Sequence, residues 1–120
     1  MCQFSNKFLS AVRALASDGP IKTRLIAAYS ENLALLPDTD IPDSIRTRFD
    51  QLRQSLQAVK PLSTETAIVA SVRKMSTDDA NRCAASIVIM FSELVRVKTT
   101  GERLKVDKSN GNGRHTAALN

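Results

Sequence analysis

The sequence predicts an all-α fold, a compact bundle of four to five helices followed by a disordered basic C-terminal tail, and three observations carry that expectation. Apolar residues return every third or fourth position through most of residues 1–98, which is the spacing of a helical face. The core palette is aliphatic, with 4% aromatic residues and no Trp, and such a palette favours packed helices. The prolines and glycines fall between the periodic stretches or in the tail, where they interrupt nothing.

Phe4, Phe8, Val12 and Leu15, with Leu9 and Ala16 beside them, define a first helix ending near Ser17. "SDGP" at 17–20 stops it: Gly19 admits a left-handed turn, and Pro20 cannot continue a helix but suits the first turn of a new one. Asp18 is placed to cap that second helix. It is expected from Pro20 to about Leu36 on Ile21, Leu25, Ala28 and Tyr29, reinforced by Ile26 and Leu33 and then by Leu35 and Leu36. A face that widens in this way implies two neighbours. "PDTDIPD" at 37–43 is a connection whose carboxylates can accept bonds from the free amides of the next helix. The alternating oxygens of Asp38, Asp40 and Asp43 loosely suggest a calcium loop, but the glycine and the terminal Glu of such a loop are missing, so capping is the expectation.

Ile45, Phe49, Leu52, Leu56 and Val59 are spaced by four, three, four and three, the most regular amphipathic stripe in the chain. Arg46, Arg48 and Arg53 lie off it. Arg46 and Asp50 are four apart and Asp50 and Arg53 three apart, so the third helix can neutralise part of its own basic face. In "ETAIVASVRKM", Ile68, Val72 and Met75 keep helical spacing, while the β-branched Thr66, Ile68, Val69 and Val72 would also suit a strand. A lone strand would lack a partner, so residues 65–75 are expected as a short helix. "MSTDD" at 75–79 is a helix start: Ser76 can cap the third following amide, and Asp79 stands where a capping box carries Glu or Gln. The last helix runs through Ala80, Ala84, Ile87, Phe91 and Leu94 to about Val97. Cys83, Val88, Met90 and Val95 widen its apolar face and make it the central helix. From Thr99 the periodicity dissolves into polar residues and three glycines, which divides the chain into a helical bundle domain, 1–98, and a mobile basic tail, 99–120.

The net charge of +5 is unevenly placed. From Arg96 onward six bases face two acids, a net of +4, which leaves only +1 for residues 1–95. Cys2 and Cys83 sit in unlike contexts, so no disulfide framework is expected and a reduced, cytoplasmic setting fits. No stretch has the form of a signal peptide or nears the roughly 18 apolar residues of a membrane span.

Catalysis lacks its parts. The single histidine, His115, falls in the tail, so a Ser/His/Asp or Cys/His site has no fixed base, and Cys83 reads as a small buried hydrophobe. No glycine motif for phosphates and no converging metal-ligand set is evident, so no cofactor and no small-molecule substrate are expected. Two binding classes remain. In one, surplus apolar surface on the second and last helices meets another protein or a second copy. In the other, the basic tail with Arg73, Lys74 and Arg82 tracks nucleic-acid phosphates. An interaction surface would be sought first at Arg46, Arg53, Arg73, Lys74 and Arg82, although solvation alone accounts for each of them singly.

"LSAVRALASDGPIKTRLIAAYSENLALL", "LPDTDIPDSIRTRF" and "VRKMSTDDANRCAASIV" resemble a family of short all-helical bacterial proteins of uncharacterised function, often carried in variable or mobile genome regions. The resemblance covers roughly residues 7–96, and its most distinctive parts are Asp40–Phe49 and Lys74–Ala80. Those are turn and capping features, so the resemblance implies a helical fold and a bacterial cytoplasmic origin and brings no catalytic residue. The expectation is a non-enzymatic accessory or regulatory protein acting through protein–protein interaction. The alternative is a weak, sequence-independent nucleic-acid binder using the basic tail and the arginines of the third helix.

Overall fold

A computed structural model of the chain describes residues 3–62 and 64–110, with side chains from Phe4 to Arg96. Five helices form it: α1 (Gln3–Leu15), α2 (Ile21–Ser30), α3 (Asp43–Leu56), α4 (Ala67–Lys74) and α5 (Thr77–Asn110). No strand occurs among the described residues, and the 65–75 segment forms a short helix, Ala67–Lys74, as expected. There Thr66 supplies the N-cap, its hydroxyl accepting the Val69 amide at 3.1 Å.

α1 and α2 pack against each other across the Gly19 turn, whose φ of 106° is left-handed and favours glycine. α5 lies against α1, α2 and α3 and is the central helix that its broad apolar face predicts, while α4 bridges α2 and α3. Phe8, Leu25, Leu33, Phe49, Leu56, Ile87 and Met90 are fully enclosed at the centre. The Phe8 and Phe49 rings meet at 6.2 Å with a 58° tilt, an edge-favouring geometry that ties α1 to α3 through the core.

Several expectations are corrected. The second helix stops at Ser30 instead of running to Leu36. A short 3-10 turn, Leu33–Leu35, follows. The change of pitch lets Leu33 and Leu36 both enter the core while Leu35 stands 61% exposed, and the Asn32 side-chain amide donates to the Ala28 carbonyl at the helix end. Asp18 does not cap α2, and the 37–43 carboxylates do not cap α3. The caps are Pro20 and Pro42, each extended with ψ of 150° and with no side-chain bond. Proline at that position is already in the conformation a helix entry needs, and Asp43 instead occupies the first turn, where the dipole favours it. The third helix ends at Leu56, so Val59 lies beyond it; its amide donates to the hydroxyl of Ser71, which is buried in α4. Ser76 caps α5 as predicted, accepting the Asp79 amide at 3.0 Å, whereas the Asp79 carboxylate turns to Arg82.

α5 extends to Asn110, past the boundary at 98 expected between bundle and tail. Its last described core side chain is Leu94. Residues 111–120, with His115, lie outside the described residues. No helix among the described residues is long and apolar enough to cross a membrane.

A basic-rimmed groove as candidate functional site

α3 carries two distinct flanks. At 3.6 residues per turn, Arg46 and Arg53 fall on one side of the buried Ile45–Phe49–Leu52–Leu56 face, and Arg48 and Ser55 on the other, about 160° away. The two flanks do different work, and this splits the five predicted surface cations into two groups.

On the first flank the arginines are structural. Arg53 donates through Nη2 to the Asp38 carboxylate at 2.7 Å and lies over the Phe49 ring, 5.2 Å from its centroid. Arg46 donates to the backbone carbonyls of Asp38 and Ile41 at 2.9 and 3.0 Å and stands 3.8 Å from the Asp38 carboxylate. Together they fasten the 3-10 turn Asp38–Asp40 onto α3. The partner is therefore a loop carboxylate eight and fifteen residues away and not Asp50, as helical spacing had suggested. The hydrogen bond from Arg53, with its charge, holds the Asp38 carboxyl below its ordinary range. Burial pushes the Tyr29 phenol up, an effect that Arg53 partly opposes. This corner is a clamp in which two guanidiniums share one carboxylate and two backbone carbonyls.

Of the remaining cations, Lys74 and Arg82 stand at the junction of α3, α4 and α5, and Arg73 is not part of its lining. Arg73 makes a two-point bond to Glu65, at 2.7 and 3.3 Å, and its carbonyl accepts Lys22 Nζ at 3.2 Å. Arg82 reaches Asp79 at 2.6 Å and is otherwise exposed. Lys74 forms no ion pair among the described residues, and neither does Arg48, which was not among the five.

Between these elements runs an open groove made of two adjoining depressions of about 340 and 490 Å³ that share Ser55, Arg82 and Cys83. Leu52 and Ile89 line the first, and Val59 and Met75 the second. The floor is thus apolar, and Ile89 stays 47% exposed. Arg48 and Arg82 stand at the first depression, Lys74 and Arg82 at the second, and the one acid of the lining is Asp79. The lining therefore carries an excess of two positive charges, where residues 1–95 as a whole carry one. The surplus basicity of the body is concentrated here.

Cys83 lies at the shared floor, 9% exposed. Burial, and then the Asp79 carboxylate, push its thiol up, so it is held protonated and poorly nucleophilic. No group of three or more potential metal-ligating side chains converges among the described residues. Arg48 was grouped with Arg46 and Arg53 as one basic face, although helical spacing alone sets it on the opposite flank of α3. The packing of α5 against α3 decides what that flank faces. Comparison of the chain with protein-family models, curated proteins and solved structures finds no match.

Proposed function

We propose that the chain is a non-enzymatic accessory or regulatory protein that works in the cytoplasm by binding another protein. The observation that carries this reading is the groove of α3, α4 and α5, where apolar side chains lie open beside concentrated positive charge. Exposed apolar surface bordered by polar groups is the usual character of a protein-binding patch. Val88 and Val95, 42% and 47% exposed on α5, lie outside the groove, about 100° or more around the helix from Ile89. The protonated, enclosed Cys83 favours a structural thiol over a nucleophile.

The alternative, sequence-independent nucleic-acid binding, gains less support. Phosphate tracking needs unopposed charge; Arg73 and Arg82 each pair with a carboxylate of this chain, and Arg46 and Arg53 share that of Asp38. Single-stranded binding also draws on aromatic platforms, and no aromatic side chain lines the groove.

Affinity capture on the tagged full chain from the native host, with light scattering of the purified protein, tests the reading. A protein retained at stoichiometric level, or a defined oligomer, is expected. Recovery of nucleic acid alone, with affinity for random DNA or RNA falling steeply as salt rises, overturns it in favour of the alternative.

A further inference from the structure

We propose that the groove of α3, α4 and α5 receives an acidic amphipathic helix of a partner protein, its apolar side chains on Ile89, Val59 and Met75 and its carboxylates toward Arg48 and Lys74. The inference rests on the protein-binding reading above and specifies the partner's chemistry.

Charge decides the sign of the occupant. The lining holds three bases and one acid, so the rest of residues 1–95 is left with a net charge of −1. A positive groove on an otherwise slightly negative body selects a negative ligand over its own kind of surface. The same argument removes the chain's own C-terminal segment as occupant. From Arg96 onward that segment carries +4 and would bring like charge to the rim. Arg48 and Lys74 are exposed and form no ion pair among the described residues, so a ligand carboxylate meets them without displacing an internal partner.

The floor decides the class of ligand. Ile89 in one depression and Val59 and Met75 in the next offer apolar contact at separated points, which suits side chains projecting from successive turns of a helix. A methionine in such a floor adapts to different side chains. Phosphates would leave that floor uncovered. The absence of an aromatic in the lining removes the base-stacking that would compensate.

The test is a display selection of random 16-residue peptides on the full chain, followed by fluorescence titration of the best peptide. The expected winners carry Glu and Asp together with Leu, Ile or Val at three- and four-residue spacing. Arg48→Glu with Lys74→Glu should weaken the selected peptide about thirtyfold, since each reversal removes one exposed pair and adds a repulsion. Ile89→Asp should weaken it by about tenfold. Arg13→Glu, on the exposed face of α1, should leave it unchanged, and circular dichroism should show all variants folded. A selection dominated by basic or purely apolar peptides overturns the inference, as does a peptide indifferent to the groove variants. So does tighter binding of a 16-nucleotide RNA that the same variants abolish, or a homodimer that Ile89→Asp dissociates. Capture of a host protein equally well by wild type and groove variants overturns the groove assignment while leaving the protein-binding function standing. Capture of none, by either, overturns both.

Discussion

Replacing Arg24 tests how the first two helices are joined. Its guanidinium donates through Nε to the Gly19 carbonyl and through Nη1 to the Leu15 carbonyl, both at 2.7 Å, so one side chain of α2 closes the end of α1 and braces the turn between them. The Leu15 bond is part-buried and the Gly19 bond exposed. A charged donor to a backbone carbonyl contributes about 1.5 kcal/mol in the former setting and less in the latter, part of it from the helix dipole. Arg24→Ala should therefore cost about 2 kcal/mol and lower the thermal midpoint by about 8 °C for a domain of this size. Arg24→Lys keeps the charge but not the planar fork, so it should recover about half. Thermal melts at 222 nm, with urea titrations to check that the slope is unchanged, measure both. An alanine variant within about 2 °C of wild type, or a lysine variant indistinguishable from either parent, refutes the two-point clasp.

Ser71→Ala removes the acceptor of the Val59 amide and should cost about 1–2 kcal/mol; in hydrogen exchange the Val59 amide should lose its protection while those of α5 keep theirs. Phe49→Ala empties the centre of the α3 face and should cost about 3–5 kcal/mol, read as a lost or greatly lowered cooperative transition. The carboxyls of Asp38 and Glu65 are both held down, first by hydrogen bonds from Arg53 and Arg73 respectively, so their contribution is present above the unfolded carboxylate range and lost as pH falls through the folded values. Urea midpoints should be level from about pH 5 upward and fall below about pH 4, and Asp38→Asn with Glu65→Gln should flatten that acid limb. In a Cys2→Ser background, Cys83 should react with maleimide far more slowly in the native protein than in urea, because the thiol is enclosed and protonated.

The fold was legible wherever a contact is local. Phe8, Leu25, Phe49, Ile87 and Met90 were marked as inward by spacing alone, because burying one helical stripe is the main favourable term available to such segments. Ser76 was legible for the same reason, since a cap reaches only three residues along the chain. The errors follow the opposite rule. Asp18, Asp38, Asp40 and Asp43 looked like caps because aspartate often is one. Asp38 has instead been taken by Arg53, a partner that helix spacing does not reveal. The end of α2 was missed because Leu33, Leu35 and Leu36 continue a plausible apolar face, and only the space left by neighbouring helices forces a change of pitch there.

The candidate site was half legible. Lys74 and Arg82 could be named from the basic residues around the last turn of α4 and the start of α5, and both line the groove. Arg46 and Arg53 belong to a different structural corner; Arg48 is set apart from them by helical spacing, and it enters the site because α5 lies along its flank.

Read by itself, the order of residues determined that this chain is helical, where most helices begin, and which side chains seek the interior, since each of those depends on neighbours within one or two turns. Which of its cations remain available to a ligand was decided only in three dimensions. Ion pairing and groove shape depend on which helix lies beside which, and that is set by the packing of the whole core at once.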